Sequence, residues 1–77
     1  MTKDYYETTD LGLAASLCCV GYRVVDVDKS NPKRVVFCFE NNFELKTKVS
    51  EFWDNSLLIP ASTLLENIRL LKSRIYA

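Results

Sequence analysis

Histidine is missing from this chain altogether, and glycine and proline occur only twice each. Without histidine, zinc sites and cysteine-histidine dyads lose their usual members, and no C-x-x-C spacing compensates. Two glycines are too few for a glycine-rich phosphate loop. Net charge is absent as well: ten basic and ten acidic residues cancel, so no global field draws the chain to a nucleic acid or an anionic membrane. Any electrostatic site has to be local. The cysteines are not evenly paired: Cys18 and Cys19 are adjacent and Cys38 stands apart, an odd set that cannot form a disulfide framework and that suits a reducing cytoplasm. The opening MTKDYYETTD lacks the basic, apolar and cleavage regions of a signal peptide, and the uncharged run at residues 11–22 is too short to cross a bilayer. Catalysis by serine, cysteine or paired carboxylates would need partners that are not visible. These shortages predict a soluble cytoplasmic protein that is not an enzyme, takes no cofactor and enters no membrane.

What the chain does have is apolar and aromatic side chains. With 48% apolar residues, including four Phe, four Tyr and one Trp, it has the makings of a core that disordered chains lack. Its 77 residues suffice for one domain, since a second core would need more apolar surface than this length buries. A chain of this size hides roughly 60% of the surface its unfolded form exposes. That leaves a narrow stability margin, which self-association as a homo-oligomer would widen. No repeat, linker or low-complexity segment divides it.

The segment KDYYET sets aromatic residues in a polar frame and predicts a short strand. In TTDLGLAASLCCVG, Thr9 or Thr8 is placed as N-cap, Asp10 in the first turn and Gly21 just past the last apolar residue, giving a helix of about ten to twelve residues. At roughly 100° per residue its apolar side chains cover nearly the whole circumference, interrupted by Gly12 and Ser16 with Cys19 beyond. Such a helix is buried, and the small stripe lets another element come close. YRVVDVDK and RVVFCFE are β-branched and aromatic, and the turn-forming SNP between them predicts an antiparallel hairpin. Val35, Phe37 and Phe39 alternate with Val36 and Cys38, so the second strand is apolar on both faces and is expected at the sheet's centre. In the first strand, alternation puts Val25 with Val27 on one face and Asp26 with Asp28 on the other.

ENNFELKTKVSEFWDNS places Asn41 and Glu44 in capping-box spacing and Leu45, Val49, Phe52 and Trp53 along one stripe, which predicts an amphipathic helix. LLIP is extended ahead of Pro60, which suits the first position of a last helix ending near Tyr76. The stripe of that helix is Leu64, Leu65, Ile68, Leu71 and Ile75, with Leu70 and Arg74 together outside it. The fold class is therefore α+β, strand-helix-strand-strand-helix-helix, with a three-stranded antiparallel sheet packed against three helices.

Two surfaces are candidates for binding. The hairpin tip carries Lys29, Lys33 and Arg34, and the last helix adds Arg69, Lys72 and Tyr76 along one flank, where a tyrosine beside cations can stack on a base. The plainer reading is a solvated turn and cations offsetting a helix dipole. The second candidate is a protein interface around Leu70, Arg74 and Tyr76, continued by Tyr5 or Tyr6. Trp53 either belongs to that kind of surface or closes the core against LLIP. Asp26 and Asp28 would begin a Mg²⁺ or Ca²⁺ site only if Glu7 or Glu40 came alongside; an outward strand face is the commoner reason for them, and no metal is assigned. Cys18 and Cys38 read as small core residues.

TTDLGLAASLCCVGYRVV, DKSNPKRVVFCFE and the closing LLKSRIY together resemble a family of short uncharacterised proteins of bacteriophages and prophage-like elements, a domain of unknown function. The pattern is a capped apolar helix ending in Gly-Tyr, a hairpin with an aromatic second strand, and a basic last helix ending in Ile-Tyr. The resemblance spans nearly the whole chain and implies a bacterial host cytoplasm, with nucleic acid or a host protein as partner. It transfers no active site. The expectation is a non-enzymatic binding module contacting nucleic acid through Lys29, Lys33, Arg34, Arg69 and Lys72, or alternatively an adaptor or inhibitor of a host protein, as a monomer or a homodimer.

Overall fold

In a computed structural model describing residues 4–76, strand β1 (Tyr5–Thr8) leads into helix α1 (Leu11–Cys19). The hairpin strands β2 (Val24–Asp28) and β3 (Val36–Glu40) follow, then helices α2 (Phe43–Trp53) and α3 (Ala61–Ile75). This is the α+β order that the residue pattern predicts. Lys3, included in the expected first strand, lies outside the described residues. The strands form one antiparallel sheet in the order β1-β3-β2, so the strand with apolar residues on both faces is central, as expected.

Register decides which side chains meet. Tyr6 and Val24 flank Phe39, while Thr8 and Val27 flank Phe37, and this side of the sheet meets the core. Strict alternation in β2 fails at one position. The pairing steps from Val24↔Phe39 to Asp26↔Cys38, so Val25 is an extra, bulged residue. Val24, not Val25, therefore shares the covered face with Val27, and Val25 is 48% exposed. The hairpin connection is also longer than the SNP triplet suggests, because β3 begins at Val36 and residues 29–35 lie between the strands.

Local chemistry sets the helix ends one residue away from the expected places. Asp10, not Thr8 or Thr9, is the N-cap of α1: its Oδ1 accepts from the Leu13 amide at 3.0 Å, while Thr8 Oγ1 accepts from the Asp10 amide. At the other end the Tyr22 amide donates to the Leu17 carbonyl and Gly21 to Cys18, the paired bonds of a Schellman motif, with Gly21 at φ 104°. Asn42, not Asn41, caps α2 by accepting from the Leu45 amide at 2.8 Å. Asn41 instead ties the end of β3 to Asp4, through its backbone and its side chain. Helix α2 closes with the same device as α1: Ser56 donates to Glu51 and Asn55 to Phe52, with Asn55 at φ 61°. Pro60 sits at the N-cap of α3 rather than at its first turn.

The core is Leu13, Ala14, Ala15 and Leu17 of α1 against Phe37 and Phe39 of β3, Leu45 of α2 and Leu71 of α3. Gly12 leaves room for the N-cap, since a Cβ there would stand 3.3 Å from Asp10 Oδ1, and Cys19 Sγ accepts from Asn67 of α3. Two expected core members lie outside. Leu65 is 61% exposed and Trp53 60%, the indole resting edge-on against Phe52 at 4.9 Å rather than closing the core.

The two left-handed residues give a direct test of these helix ends. No atom lies within 4 Å of a Cβ built on Gly21, so Gly21→Ala meets backbone strain alone and is expected to cost about 1 kcal/mol. Asn55→Gly should be neutral or slightly stabilising, and Asn55→Val should cost about 1–2 kcal/mol. Urea unfolding measures all three, and equal midpoints would remove these caps from the account of stability.

Candidate functional site

The Schellman turn at Gly21 directs the chain out of α1 so that Tyr22 packs on the core while Arg23 remains exposed. On α3, Asn67, Leu70, Leu71 and Arg74 recur at helical spacing and form one flank. The two segments, with Cys18, line a cleft of about 330 Å³. Its floor is apolar: Leu71 is 4% exposed and Val24 packs against the core, while Leu70 stands at the rim, 54% exposed. Arg23 and Arg74 flank it, and among the described residues neither guanidinium has a carboxylate within salt-bridge distance. Tyr22, Arg23 and Val24 also line a second hollow of about 560 Å³, together with Val25, Phe39, Glu40 and Asn42.

The basic residues expected at the hairpin tip go in different directions. Lys29 Nζ donates to the Arg74 carbonyl at 3.2 Å, which brings one side of the tip to the C-terminal end of α3, where cations are favoured. Arg34 lines a shallow cavity with Glu7, Thr8 and Thr9 at the end of β1. Lys33 is exposed, its amide bonded to Asn31. On α3, Arg69 is engaged by Glu66 at 2.9 Å, whereas Lys72 is exposed in the last turn. Tyr76 follows as C-cap, 82% exposed. Leu70 and Arg74 do meet in one cleft. Arg23, which completes it, is not picked out by the sequence pattern, because its place beside α3 depends on how distant elements pack.

The opposite face of the sheet has a different character. Register places Glu7 and Asp26 on either side of Cys38, with Tyr5, Asp28 and Val36 nearby on the same face. Tyr5, Glu7, Val25, Asp26 and Cys38 line a hollow of about 360 Å³ to which no described helix contributes. Glu7 does come alongside Asp26, yet among the described residues no three His, Cys, Asp or Glu side chains converge to hold a metal ion. Each carboxylate has its own local donor: Cys38 Sγ to Glu7, the Val27 amide to Asp26, the Ser30 amide to Asp28. Among the described residues no helix is long and apolar enough to cross a membrane.

This arrangement belongs to the family described as Domain of unknown function (DUF5659), which matches residues 3–77 and therefore nearly the whole chain. No curated protein and no solved structure matches it.

All three thiols are pushed above their ordinary value of 9.0, for related reasons. Burial raises Cys18, neighbouring Cys19 adds to this, and Arg74 opposes it. Burial raises Cys19 against the Asn67 hydrogen bond, and burial followed by Glu7 raises Cys38, with Asp26 and Asp28 adding to it. As pH climbs past 9.0 the unfolded chain releases thiol protons that the folded chain keeps, so stability is lost with rising pH. Thermal midpoints are expected to fall between pH 8 and 10.5, and less steeply in Cys18→Ala and Cys38→Ala. Iodoacetamide should modify the native thiols more slowly than free cysteine at pH 8. Alkylation as fast as that of the free amino acid would contradict both expectations.

Proposed function

We propose that this chain is a non-enzymatic binding module whose cleft between α3 and the start of β2 takes an acidic segment of a partner protein, anchored by an aliphatic side chain. The observation that carries the reading is the pair of guanidiniums, Arg23 and Arg74, standing around an apolar floor without carboxylate partners among the described residues. Arginine is enriched at interface centres, where the charge supplies orientation and the apolar floor beneath it supplies affinity. The resemblance to phage and prophage-like proteins supports a host protein as partner, met in the bacterial cytoplasm. Calorimetric titration with a short peptide of Asp and Glu around a central Leu tests the cleft. Leu70→Asp and Arg74→Glu should each weaken binding tenfold or more, about 1.4 kcal/mol. Because Leu70 is 54% exposed, its substitution should leave the melting temperature nearly unchanged. Equal affinity in the variants removes the cleft as the site.

A second reading, contact with nucleic acid, draws support from the Lys29 bond to the Arg74 carbonyl, which joins the hairpin tip to the basic last turn of α3. Fluorescence anisotropy with labelled single- and double-stranded oligonucleotides is the measurement. On this reading binding is salt-sensitive, and replacing Lys33 and Arg34 by Ala weakens it and flattens the salt slope by about one unit for each phosphate that is no longer neutralised. No binding in dilute salt would count against it.

A further inference from the structure

Charge in this chain is separated rather than absent. The open sheet face carries Glu7, Asp26 and Asp28 around the apolar Tyr5 and Val25, which are 49% and 48% exposed. The cleft carries Arg23 and Arg74 around Leu70, with Lys29 bonded to the Arg74 carbonyl beside it. The two surfaces lie on opposite sides of β2, because Val24 turns toward the helices and Asp26 toward the open face. Each is an apolar centre with charge at its rim, basic around the cleft and acidic around the open face except where Arg34 borders it.

We infer that a second copy of this chain docks its open sheet face, through Tyr5, Val25 and Asp26, on the cleft of the first between Arg23 and Arg74. Copies then join head to tail. This rests on reading the cleft as a docking site and names its occupant. The alternatives between identical chains are disfavoured by the same residues. Two open faces placed together would oppose like charges, the carboxylates of Glu7, Asp26, Asp28 and Glu40 on each. Adding strands edge to edge along β2 meets the bulge at Val25 and the charged Asp26 and Asp28, both devices that discourage such pairing. Arg34 borders the open face beside Glu7 and limits its negative area to the side nearer β2. A head-to-tail contact leaves one cleft and one face unused at the ends of every open assembly, so it closes into a ring or continues as a chain.

Sedimentation velocity across a wide range of concentrations is the test, in dilute buffer and in about 1 M salt, where the Debye length shrinks to about 3 Å. In dilute buffer the mass should rise with concentration beyond two chains, and in high salt it should return to 8.9 kDa. Asp26→Lys leaves the cleft intact and Arg74→Glu leaves the face intact. Each alone should stay monomeric, and the two mixed should associate, because the intact face of one variant fits the intact cleft of the other. Circular dichroism establishes that each variant is folded, and Glu7→Lys replaces Asp26→Lys if the latter is not. Wild-type protein that stays monomeric in dilute buffer overturns the inference, as does association retained by either variant or a mixture that remains monomeric. The acidic-peptide titration separates the two readings: peptide bound by a wild-type monomer keeps the cleft and removes self-docking, whereas neither peptide binding nor assembly removes both.

Discussion

Helix α1 carries apolar or small side chains on nearly every side, and nine residues of that kind in water have to be enclosed from several directions. The aromatic face of β3 encloses one side with Phe37 and Phe39, α3 another with Leu71, and α2 a third with Leu45 and Phe52. Small side chains make the enclosure close. Ala14 and Ala15 are fully buried, and the buried Ser16 hydroxyl donates to the Gly12 carbonyl, so burying it leaves no unsatisfied group. A chain of 77 residues that must surround one helix in this way has no described element left for the far side of its sheet.

The open face and the cleft follow from that geometry. All three helices are used on one side, so the face carrying Glu7, Asp26 and Cys38 stays uncovered among the described residues and takes polar side chains there. The cleft arises where α3 leans on α1 and overshoots it: Leu71 reaches the core, while Leu70 and Arg74, about a quarter-turn round the helix, pass beyond it to face Tyr22 and Arg23. Lys29 secures the overshoot by satisfying a carbonyl in the last turn of α3, one of the groups that every helix end leaves open.

Element order and the central strand were legible because they depend on patterns a few residues long: alternation in RVVFCFE, helical spacing in α2 and α3, and glycine at the end of α1. Two kinds of feature were not legible. The first is choice among equivalent neighbours. Thr8, Thr9 and Asp10 are all good N-caps, as are Asn41 and Asn42, and tertiary contacts decide; Asn41 is drawn off to Asp4. The second is long-range geometry. One bulged residue, Val25, reverses the facing of the strand's start, and nothing in VVDVD announces it. The meeting of Arg23 with Arg74 depends on how α3 crosses α1, so the helical pattern supplied Leu70 and Arg74 but not their partner across the cleft.

Sheet edges and sheet faces offer different kinds of recognition, and this chain restricts one of them. An edge recruits any extended backbone, because unpaired amides and carbonyls are the same in every protein. Here β1 has four residues and β2 is bulged and lined with Asp26 and Asp28, so backbone-led pairing has little length and an electrostatic obstacle. What remains accessible is side-chain chemistry: carboxylates around Tyr5 and Val25 on one side of β2, guanidiniums around Leu70 on the other. Surfaces of that type select by charge and shape rather than by backbone, and their attraction is set by local groups. A net charge of zero therefore coexists with local patches of opposite sign, carboxylates beside Tyr5 and Val25 and guanidiniums beside Leu70.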